Sequence, residues 1–317
     1  MYKFDKVVLV VGANGFVGYH LLKKMVQLGY KIIAVDYRVD HLEEFSANKQ
    51  LEIYKVDVAS DISFLRNKKI DVVLNLASIG HGNLISKKNE IDFSPIYNNV
   101  KVAENILKLL SYDGIRQYVQ ISSAAVYGNL NCAGNENMYL TPLSPYAISK
   151  VAMEYIGELF GQLNDIDVVS LRIYNIYGYN KFAKENASNL IHNLVSFALE
   201  NRNAIVYGDL SYKRDYIYID DVVDALVFCV EKELAGGVYN LGTGSAYSVE
   251  ELWQYICQQM ESGGKLVSLR RNYYNVLKFS CADTSKLSKC GFNCNVSIEE
   301  GIGRIADLLR AEKRLEQ

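Results

Sequence analysis

The stretch VVLVVGANGFVG at residues 7–18 decides the fold, because an apolar strand runs directly into three closely spaced glycines. Glycines at this spacing permit a tight turn and a close backbone approach where the strand ends and a helix begins. The first N–H groups of that helix are free to bind a pyrophosphate. The stretch therefore predicts a dinucleotide-binding loop, whose expected cofactor contacts are Gly12, Asn14, Gly15, Phe16, Val17 and Gly18.

The same alternation of strand and helix continues through the first half of the chain. Its β-branched runs are almost continuously hydrophobic, which is typical of parallel strands covered on both faces. Alternating strands and helices with right-handed crossovers predict a doubly wound parallel α/β sheet of Rossmann type. The predicted strands cover 7–13, 31–36, 51–57, 71–77, 117–123 and 167–175, and the predicted helices cover 16–29, about 93–112 and 146–162.

An acidic residue at the end of the second predicted strand bears on which dinucleotide binds. Asp36 would accept hydrogen bonds from the ribose hydroxyls and repel a 2′-phosphate, which favours NAD over NADP. Arg38 stands close by and offers a cation to a 2′-phosphate, so NADP stays open. Further cofactor contacts are expected after the third and fourth strands, with Asp57 at the adenine edge, and they are Asp57, Val58, Leu76 and Ala77.

After residue 175 the chain becomes polar and rich in loops. The pattern predicts a helix at 187–201, a strand at 204–208, a strand and helix within 214–231, a strand at 237–242, and helices near 248–260 and 297–315. We therefore expect a smaller α/β lobe that is interleaved with the first domain. Residues 1–175 and 214–242 are assigned to the NAD-binding Rossmann domain, and residues 176–213 and 243–317 to a substrate-binding lobe.

Composition excludes several classes of function. The chain has 317 residues, a net charge of −2 and no long basic block, so neither nucleic acid nor a membrane surface is an expected partner. No apolar stretch approaches the ~20 residues of a membrane-spanning helix. The six cysteines contain no Cys-x-x-Cys pair, and the four histidines are scattered, so we expect no metal and free thiols in a reducing cytoplasm.

A second motif, SPYAISK at residues 144–150, sets Tyr146 four positions before Lys150. The spacing alone is uninformative, because the chain has 24 tyrosines. Here a serine and a proline suit the start of a helix, whose i, i+4 spacing puts both side chains on one face. A predicted strand upstream ends in Ser123, at the edge where such sheets bind ligands. Position selects this pair over those that begin at Tyr2, Tyr19, Tyr97, Tyr177 and Tyr274.

Ser123, Tyr146 and Lys150 form the candidate catalytic set. A free tyrosine has a pKa near ~10, which is too high for a base at neutral pH. A neighbouring Lys⁺, with the positive charge of NAD⁺, is expected to lower that pKa. Tyrosinate would then remove a hydroxyl proton while hydride leaves the same carbon for NAD⁺. We expect the lysine to hold the nicotinamide ribose and the serine to orient the substrate hydroxyl.

These residues resemble the extended short-chain dehydrogenase/reductases, in particular nucleotide-sugar epimerases of the UDP-glucose 4-epimerase type. The likeness runs through nearly the whole chain. The segments that carry it are VGANGFVG (11–18), NLAS (75–78), YNNV (97–100), SSAAVYG (122–128), YAISK (146–150), LRIYNIYG (171–178), RDYIYIDDVVDA (214–225), YNLGTG (239–244) and ADTSK (282–286).

The resemblance implies further site residues. Asn99 is implied to support the active site, and Tyr174 to lie near the nicotinamide. Arg214 is implied at the substrate diphosphate, although a structural salt bridge is the alternative for this residue. Arg271 or Arg270 is implied to replace an arginine that relatives carry at another spacing. The residues implied at the substrate, a UDP-sugar, are Ser123, Tyr146, Asn175, Asn189, Arg214 and Arg271.

The residues after Ser123 bear on the reaction. Related 4,6-dehydratases carry an Asp–Glu pair there, and related decarboxylases carry a Glu, whereas this chain has Ala124 and Ala125. Methyl groups cannot move protons, so we expect redox-neutral epimerisation at C4 or another ring hydroxyl. A nucleotide-sugar ketoreductase that consumes NAD(P)H is the alternative, and a silent NAD-binding regulator is disfavoured by the intact catalytic set. The sugar stays open, although the small Ser280 resembles relatives that admit N-acetylhexosamines.

The resemblance also implies an assembly. In relatives, the helices near 93–112 and 146–162 form a four-helix interface, so a homodimer is expected. The apolar faces of these helices equally suit packing within one subunit.

Overall fold

A computed structural model of the chain describes residues 6–79, 91–110, 114–182, 190–269 and 277–315. Within these ranges there are thirteen strands and eight α-helices. In chain order they are β1 (Val7–Val11), α1 (Phe16–Gln27), β2 (Lys31–Asp36), β3 (Leu51–Lys55), β4 (Val72–Asn75), α2 (Ser94–Leu110), β5 (Gln117–Ser123), α3 (Pro145–Asn164), β6 (Asp167–Ile173), β7 (Asn175–Tyr177), α4 (Leu190–Leu199), β8 (Ala204–Tyr207), β9 (Lys213–Tyr218), α5 (Ile219–Lys232), β10 (Gly237–Leu241), β11 (Ala246–Ser248), α6 (Val249–Met260), β12 (Leu266–Leu269), β13 (Phe279–Ser280), α7 (Ser285–Lys289) and α8 (Ile298–Leu315).

The chain divides into two compact units, of which the first comprises residues 1–128, 136–173 and 223–240. It is built on a seven-stranded sheet in the order β10-β6-β5-β4-β1-β2-β3, and the pairings from β3 to β6 are parallel. The predicted fold class, a doubly wound Rossmann-type sheet, is confirmed. Apolar side chains of β1, β2, β4 and α2 share one core, as expected for strands buried on both faces.

The register of the sheet brings the carboxyl ends of its strands together. Val11, the last residue of β1, pairs with Val35 in β2 and with Asn75 in β4. The segments that follow these three strands therefore begin at one edge, where ligands of open α/β sheets bind. β5 continues three residues past its pairing with Asn75 and ends at Ser123, which pairs with Ile173 of β6.

The second unit comprises residues 129–135, 174–222 and 241–317. In it, β9 lies between β11 and β13 and also pairs with β7, while β8 pairs with β12 in a separate two-stranded sheet. Helix α4 packs against α6 and α8. Residues 214–222 fall in this unit, whereas the sequence pattern assigns them to the first domain. The reason is that β9 finds its partners in β7, β11 and β13.

None of the described helices is both long enough and apolar enough to cross a lipid bilayer.

Candidate active site

The glycine loop has the backbone geometry that the sequence predicts. Gly12 has a φ of +82°, and a Cβ at this position would lie 2.6 Å from the backbone nitrogen of Ala77. A Cβ on Gly18 would lie 2.3 Å from the carbonyl oxygen of Gly12, so only glycine lets α1 approach the loop. Gly15 precedes α1 and provides no side-chain cap, which leaves the first amides of the helix to a phosphate group.

A cleft of about 670 Å³ opens at the carboxyl edge of the first unit's sheet. This volume is within the range of small-molecule and cofactor pockets. The sequence-predicted cofactor residues that line it are Gly12, Asn14, Gly15, Asp36, Asp57, Val58, Leu76, Ala77 and Asn99. Phe16, Val17 and Gly18 form the first turn of α1 instead. The structure therefore assembles most of the predicted cofactor residues around one cavity.

Asp36 is buried at the end of β2 and is held by the backbone. Its Oδ2 accepts the N–H of Asn14 at 2.9 Å, and its Oδ1 accepts the N–H of Arg38 at 3.1 Å. Burial raises the pKa of Asp36, while these backbone hydrogen bonds lower it. The carboxylate is thereby fixed at the cleft wall, with remaining lone pairs for ribose hydroxyls. The glycine loop, the helix terminus and this acid together fit a dinucleotide such as NAD.

Ser123 and Tyr146 meet at the end of β5. Ser144 caps α3 by accepting the N–H of Ala147 at 3.1 Å, with Pro145 in the first turn, so Tyr146 begins the helix as predicted. Burial raises the pKa of Tyr146, and hydrogen bonding to the side chains of Ser123 and Ser78 lowers it. Ser78 lies in the quoted NLAS segment, but its role was missed.

Lys150 lies one turn further along α3 and is completely buried. Its Nζ donates to the carbonyl oxygen of Ile121 at 2.8 Å and lies 5.6 Å from the ring centre of Tyr146. Burial lowers the pKa of Lys150 to about 7, against the charge of Glu154, which raises it. The sequence predicts that Lys150 lowers the pKa of Tyr146. In the folded chain the pKa of Tyr146 is raised instead, because burial penalises the charged forms of both side chains.

Asn99 supports the segment that follows β4. Its Oδ1 accepts the N–H of Ile79 at 2.7 Å, and its Nδ2 donates to the carbonyl oxygen of Ile79 and to Ser149 Oγ at 2.9 Å. The side chain is almost completely buried. Asn99 thus ties α2 and α3 to the segment that presents Ser78 to Tyr146.

A buried ion pair lies among β5, β6 and α3. Arg172 donates from Nη2 to Glu154 Oε2 at 2.7 Å and from Nε to Oε1 at 3.0 Å, and both side chains are 4% exposed. Ser122 donates to the same carboxylate, and Arg172 Nη1 donates to the hydroxyl of Tyr127 at 3.0 Å. The network ties β6 to β5 and α3, the strand and helix that carry the candidate catalytic set.

Apart from Ser123, Tyr146 and Asn99, the residues implied by the resemblance belong to the second unit or lie outside the described ranges. Tyr174 is buried and donates its N–H to the carbonyl oxygen of Leu241 at 3.0 Å, and Asn175 is exposed at the start of β7. Arg214 donates to the carbonyl oxygens of Lys213 and Leu277. Within the described ranges no carboxylate pairs with Arg214, so the salt-bridge alternative finds no partner there. Asn189, Arg270 and Arg271 lie outside the described residues.

Asp215, beside Arg214, organises the second unit and was not singled out from the sequence. One oxygen accepts the N–H and hydroxyl of Thr243 at 2.9 and 2.7 Å. The other accepts the N–H groups of Gly244 and Ala282 at 2.9 and 3.1 Å. This fully buried carboxylate therefore holds together three of the segments quoted above, RDYIYIDDVVDA, YNLGTG and ADTSK.

Comparison with known proteins gives consistent matches. The model of the NAD dependent epimerase/dehydratase family matches residues 8–242. A putative UDP-glucose 4-epimerase of Methanocaldococcus jannaschii is 29% identical over 97% of this chain and 100% of its own. An ADP-L-glycero-D-manno-heptose-6-epimerase of Brachyspira hyodysenteriae is 31% identical over 96% and 98%. The UDP-N-acetylglucosamine 4-epimerase structure of Methanobrevibacter ruminantium, in complex with UDP-N-acetylmuramic acid, superposes with a TM-score of 0.85 at 25% identity, over 97% and 99%.

Proposed function

The chain belongs to the NAD-dependent epimerase/dehydratase family, and from that premise we propose that it epimerises a nucleotide sugar. Membership confirms the family resemblance and the cofactor expected from the sequence. The observation that carries the proposed reaction is the contact of Tyr146 with Ser123, which lies directly before Ala124 and Ala125. These residues can move one hydroxyl proton but cannot eliminate water.

The side chains divide the proton chemistry among them. NAD bound in the cleft would supply reversible hydride transfer at the ring carbon. Tyr146 removes the substrate hydroxyl proton through its phenolic oxygen, which Ser123 and Ser78 contact and stabilise when ionised. Lys150, with a pKa lowered to about 7 by burial, can hold or release a proton at neutral pH beside that ring.

Two other reactions of related enzymes, elimination of water and net reduction of a keto sugar, can be distinguished from epimerisation. In the short helix after Ser123, the two alanines leave no acid or base for elimination. The nearby Glu154 is held by Arg172, which disfavours it as a replacement. A nucleotide-sugar ketoreductase would use the same Tyr146 and Lys150, but it would consume added NAD(P)H in proportion to product. An epimerase returns its hydride and consumes none.

The substrate is proposed to be a UDP-sugar, with C4 as the reacting centre. Two of the relatives named above carry UDP-sugars in their names, whereas the heptose epimerase is named for C6. Arg214 supports an anionic ligand, because its partially buried guanidinium contacts only carbonyl oxygens in the described ranges. Ser280 pairs in register with Arg214 and is small, which favours including N-acetylhexosamines among the substrates tested.

The experiment that tests the proposal is a substrate panel followed by NMR. UDP-glucose, UDP-galactose, their N-acetyl forms and other nucleotide sugars are incubated with the purified protein. We expect one pair to interconvert without net consumption of cofactor. Failure of every sugar to epimerise, with NAD bound to the protein, would contradict the proposal.

We further propose a homodimer that forms through α2 and α3. An apolar stripe runs along one side of α3, in which Ile148, Tyr155, Leu159 and Leu163 are 42%, 63%, 58% and 74% exposed. Their helical spacing of seven, four and four residues makes this stripe continuous. Tyr97 adds a 73% exposed ring on α2, which packs beside α3.

Replacing Leu159 with Glu is expected to convert the dimer into monomers at micromolar concentration, because each subunit would place a charge in the shared apolar stripe. Sedimentation velocity or light scattering after size-exclusion chromatography measures the mass. Leu308→Glu is the matched control, since Leu308 is 44% exposed on α8 and outside the stripe. A wild-type monomer, or a dimer that Leu159→Glu leaves intact, would count against this interface.

The proposed location is the cytoplasm. All six cysteines are free thiols, and Cys132 and Cys290 are exposed. Thiols of this kind persist in compartments that keep them reduced.

A further inference from the structure

We infer that Asp40 sets the preference for NAD over NADP by holding Arg38 in an ion pair. This inference rests on the proposed function, because an enzyme of that kind would bind NAD in the cleft, with the adenosine ribose beside Asp36. The sequence leaves Arg38 as a possible partner of a 2′-phosphate. The structure gives that guanidinium a different partner in the same loop.

Arg38 and Asp40 form a two-pronged ion pair at the rim of the cleft. Arg38 Nε donates to Asp40 Oδ1 at 3.1 Å, and Arg38 Nη2 donates to Asp40 Oδ2 at 2.8 Å. This fork-to-fork geometry is the one in which guanidinium binds carboxylate or phosphate most specifically. Asp40 therefore occupies one two-pronged edge of the guanidinium, which is the kind of edge that a 2′-phosphate would bind.

Asp40 is itself anchored to the cofactor loop, which matters because an isolated exposed ion pair is weak. Asn14 Nδ2 lies 3.4 Å from Asp40 Oδ1, and His41 Nε2 lies 3.3 Å from Asp40 Oδ2. Asn14 also accepts the N–H of His41 at 2.8 Å, so the loop after β2 is tied to the glycine loop. The hydrogen bond from Arg38 lowers the pKa of Asp40 to about 2, so the carboxylate stays charged at neutral pH.

The local charge balance acts in the same direction. Asp36, Arg38 and Asp40 together carry one net negative charge near the proposed position of the ribose 2′-oxygen. A ribose hydroxyl tolerates this charge and can donate to Asp36, whereas a phosphate dianion is repelled. Removing the charge of Asp40 brings the net charge of these three residues to zero and frees the Nε and Nη2 donors of Arg38. Asp36 excludes the phosphate directly, and Asp40 acts by denying it a cation.

The test measures the dissociation constants of NAD⁺ and NADP⁺ by calorimetry on nucleotide-free full-length protein. We expect Asp40→Asn to strengthen NADP⁺ binding about tenfold relative to NAD⁺, because one charge-assisted contact becomes available. Adding Arg38→Gln to that variant should cancel the gain. Asp61→Asn is the control, since Asp61 is an exposed aspartate of the same unit that contacts Ser63 outside this cleft.

Each outcome separates the inference from its premise. Wild-type protein that binds neither nucleotide would overturn the proposed function and this inference with it. Wild-type protein that binds NAD⁺, with the same ratio of affinities in Asp40→Asn, would overturn the inference alone. A gain that persists in the Arg38→Gln double variant would also overturn it, because the released arginine would then not be the cause.

Discussion

Replacing Tyr146 with Phe is expected to reduce kcat for epimerisation by about 10²–10⁴-fold, the usual contribution of a positioned acid–base group. The variant loses only the phenolic oxygen that contacts Ser123 and Ser78. The ring and the start of α3 keep their packing, so KM and the thermal midpoint should change little. Steady-state rates with the sugar pair found in the panel, together with thermal unfolding, measure both effects.

Tyr97→Phe is the matched control for that variant. Tyr97 stands four residues before Lys101, but it is 73% exposed on α2 and has no place in the cleft chemistry. It should retain wild-type turnover. Full turnover in Tyr146→Phe would overturn the mechanism, whereas equal losses in both variants would point to damage to α2 and α3.

Replacing Lys150 with Met is expected to abolish turnover and yet raise the free energy of unfolding by about 2–4 kcal/mol at pH 7 in nucleotide-free protein. The pKa of Lys150 falls from 10.5 to about 7 in the folded protein because the side chain is completely buried. Between these two values the unfolded chain binds the extra proton, so the buried lysine costs stability. Methionine fills similar volume without a charge but gives up the hydrogen bond to Ile121.

The stability gained in the Lys150→Met variant is expected to depend on pH in a direction that follows from the lowered pKa. The cost of Lys150 is complete below about pH 7 and declines as the pH rises toward 10.5. The stability gained in Lys150→Met should therefore shrink in denaturant unfolding between pH 7 and 10. Lys108→Met, at an exposed position of α2, should show no such trend. A less stable Lys150→Met at pH 7, or a constant difference across the range, would contradict burial of the lysine charge as the cause.

Local patterns were sufficient to predict most of the sheet and the core of the candidate site. β2 and β5 begin and end where their hydrophobic runs do, and Ser144 and Pro145 mark the start of α3. Asp36 and the three glycines could be predicted as cofactor residues because they stand at the ends of strands that are visible in the sequence. These features depend on neighbours in sequence, so a single chain is sufficient to find them.

Features that depend on distant contacts were not predictable in the same way. Glu154 and Arg172 lie on different elements, and neither residue shows from the sequence that the other is its partner. β13 has only two residues, too few for a hydrophobic run, and β12 is a short apolar segment whose residues are mostly exposed. The charge of Lys150 depends on complete burial, which a Tyr-x-x-x-Lys spacing does not encode. The partners of β9, which set the division of the chain near residue 222, are equally nonlocal.

In the proposed reaction, a hydride leaves a ring carbon of the sugar and returns to its other face. The most direct test is NMR of a UDP-sugar that carries deuterium at C4, incubated with the wild-type protein and no added reductant. Epimerisation by this route predicts the C4 epimer with deuterium retained at C4 and no net change in bound NAD. Absence of an epimer from every sugar tested, or an epimer whose deuterium has exchanged with water, would contradict hydride transfer and return at this site.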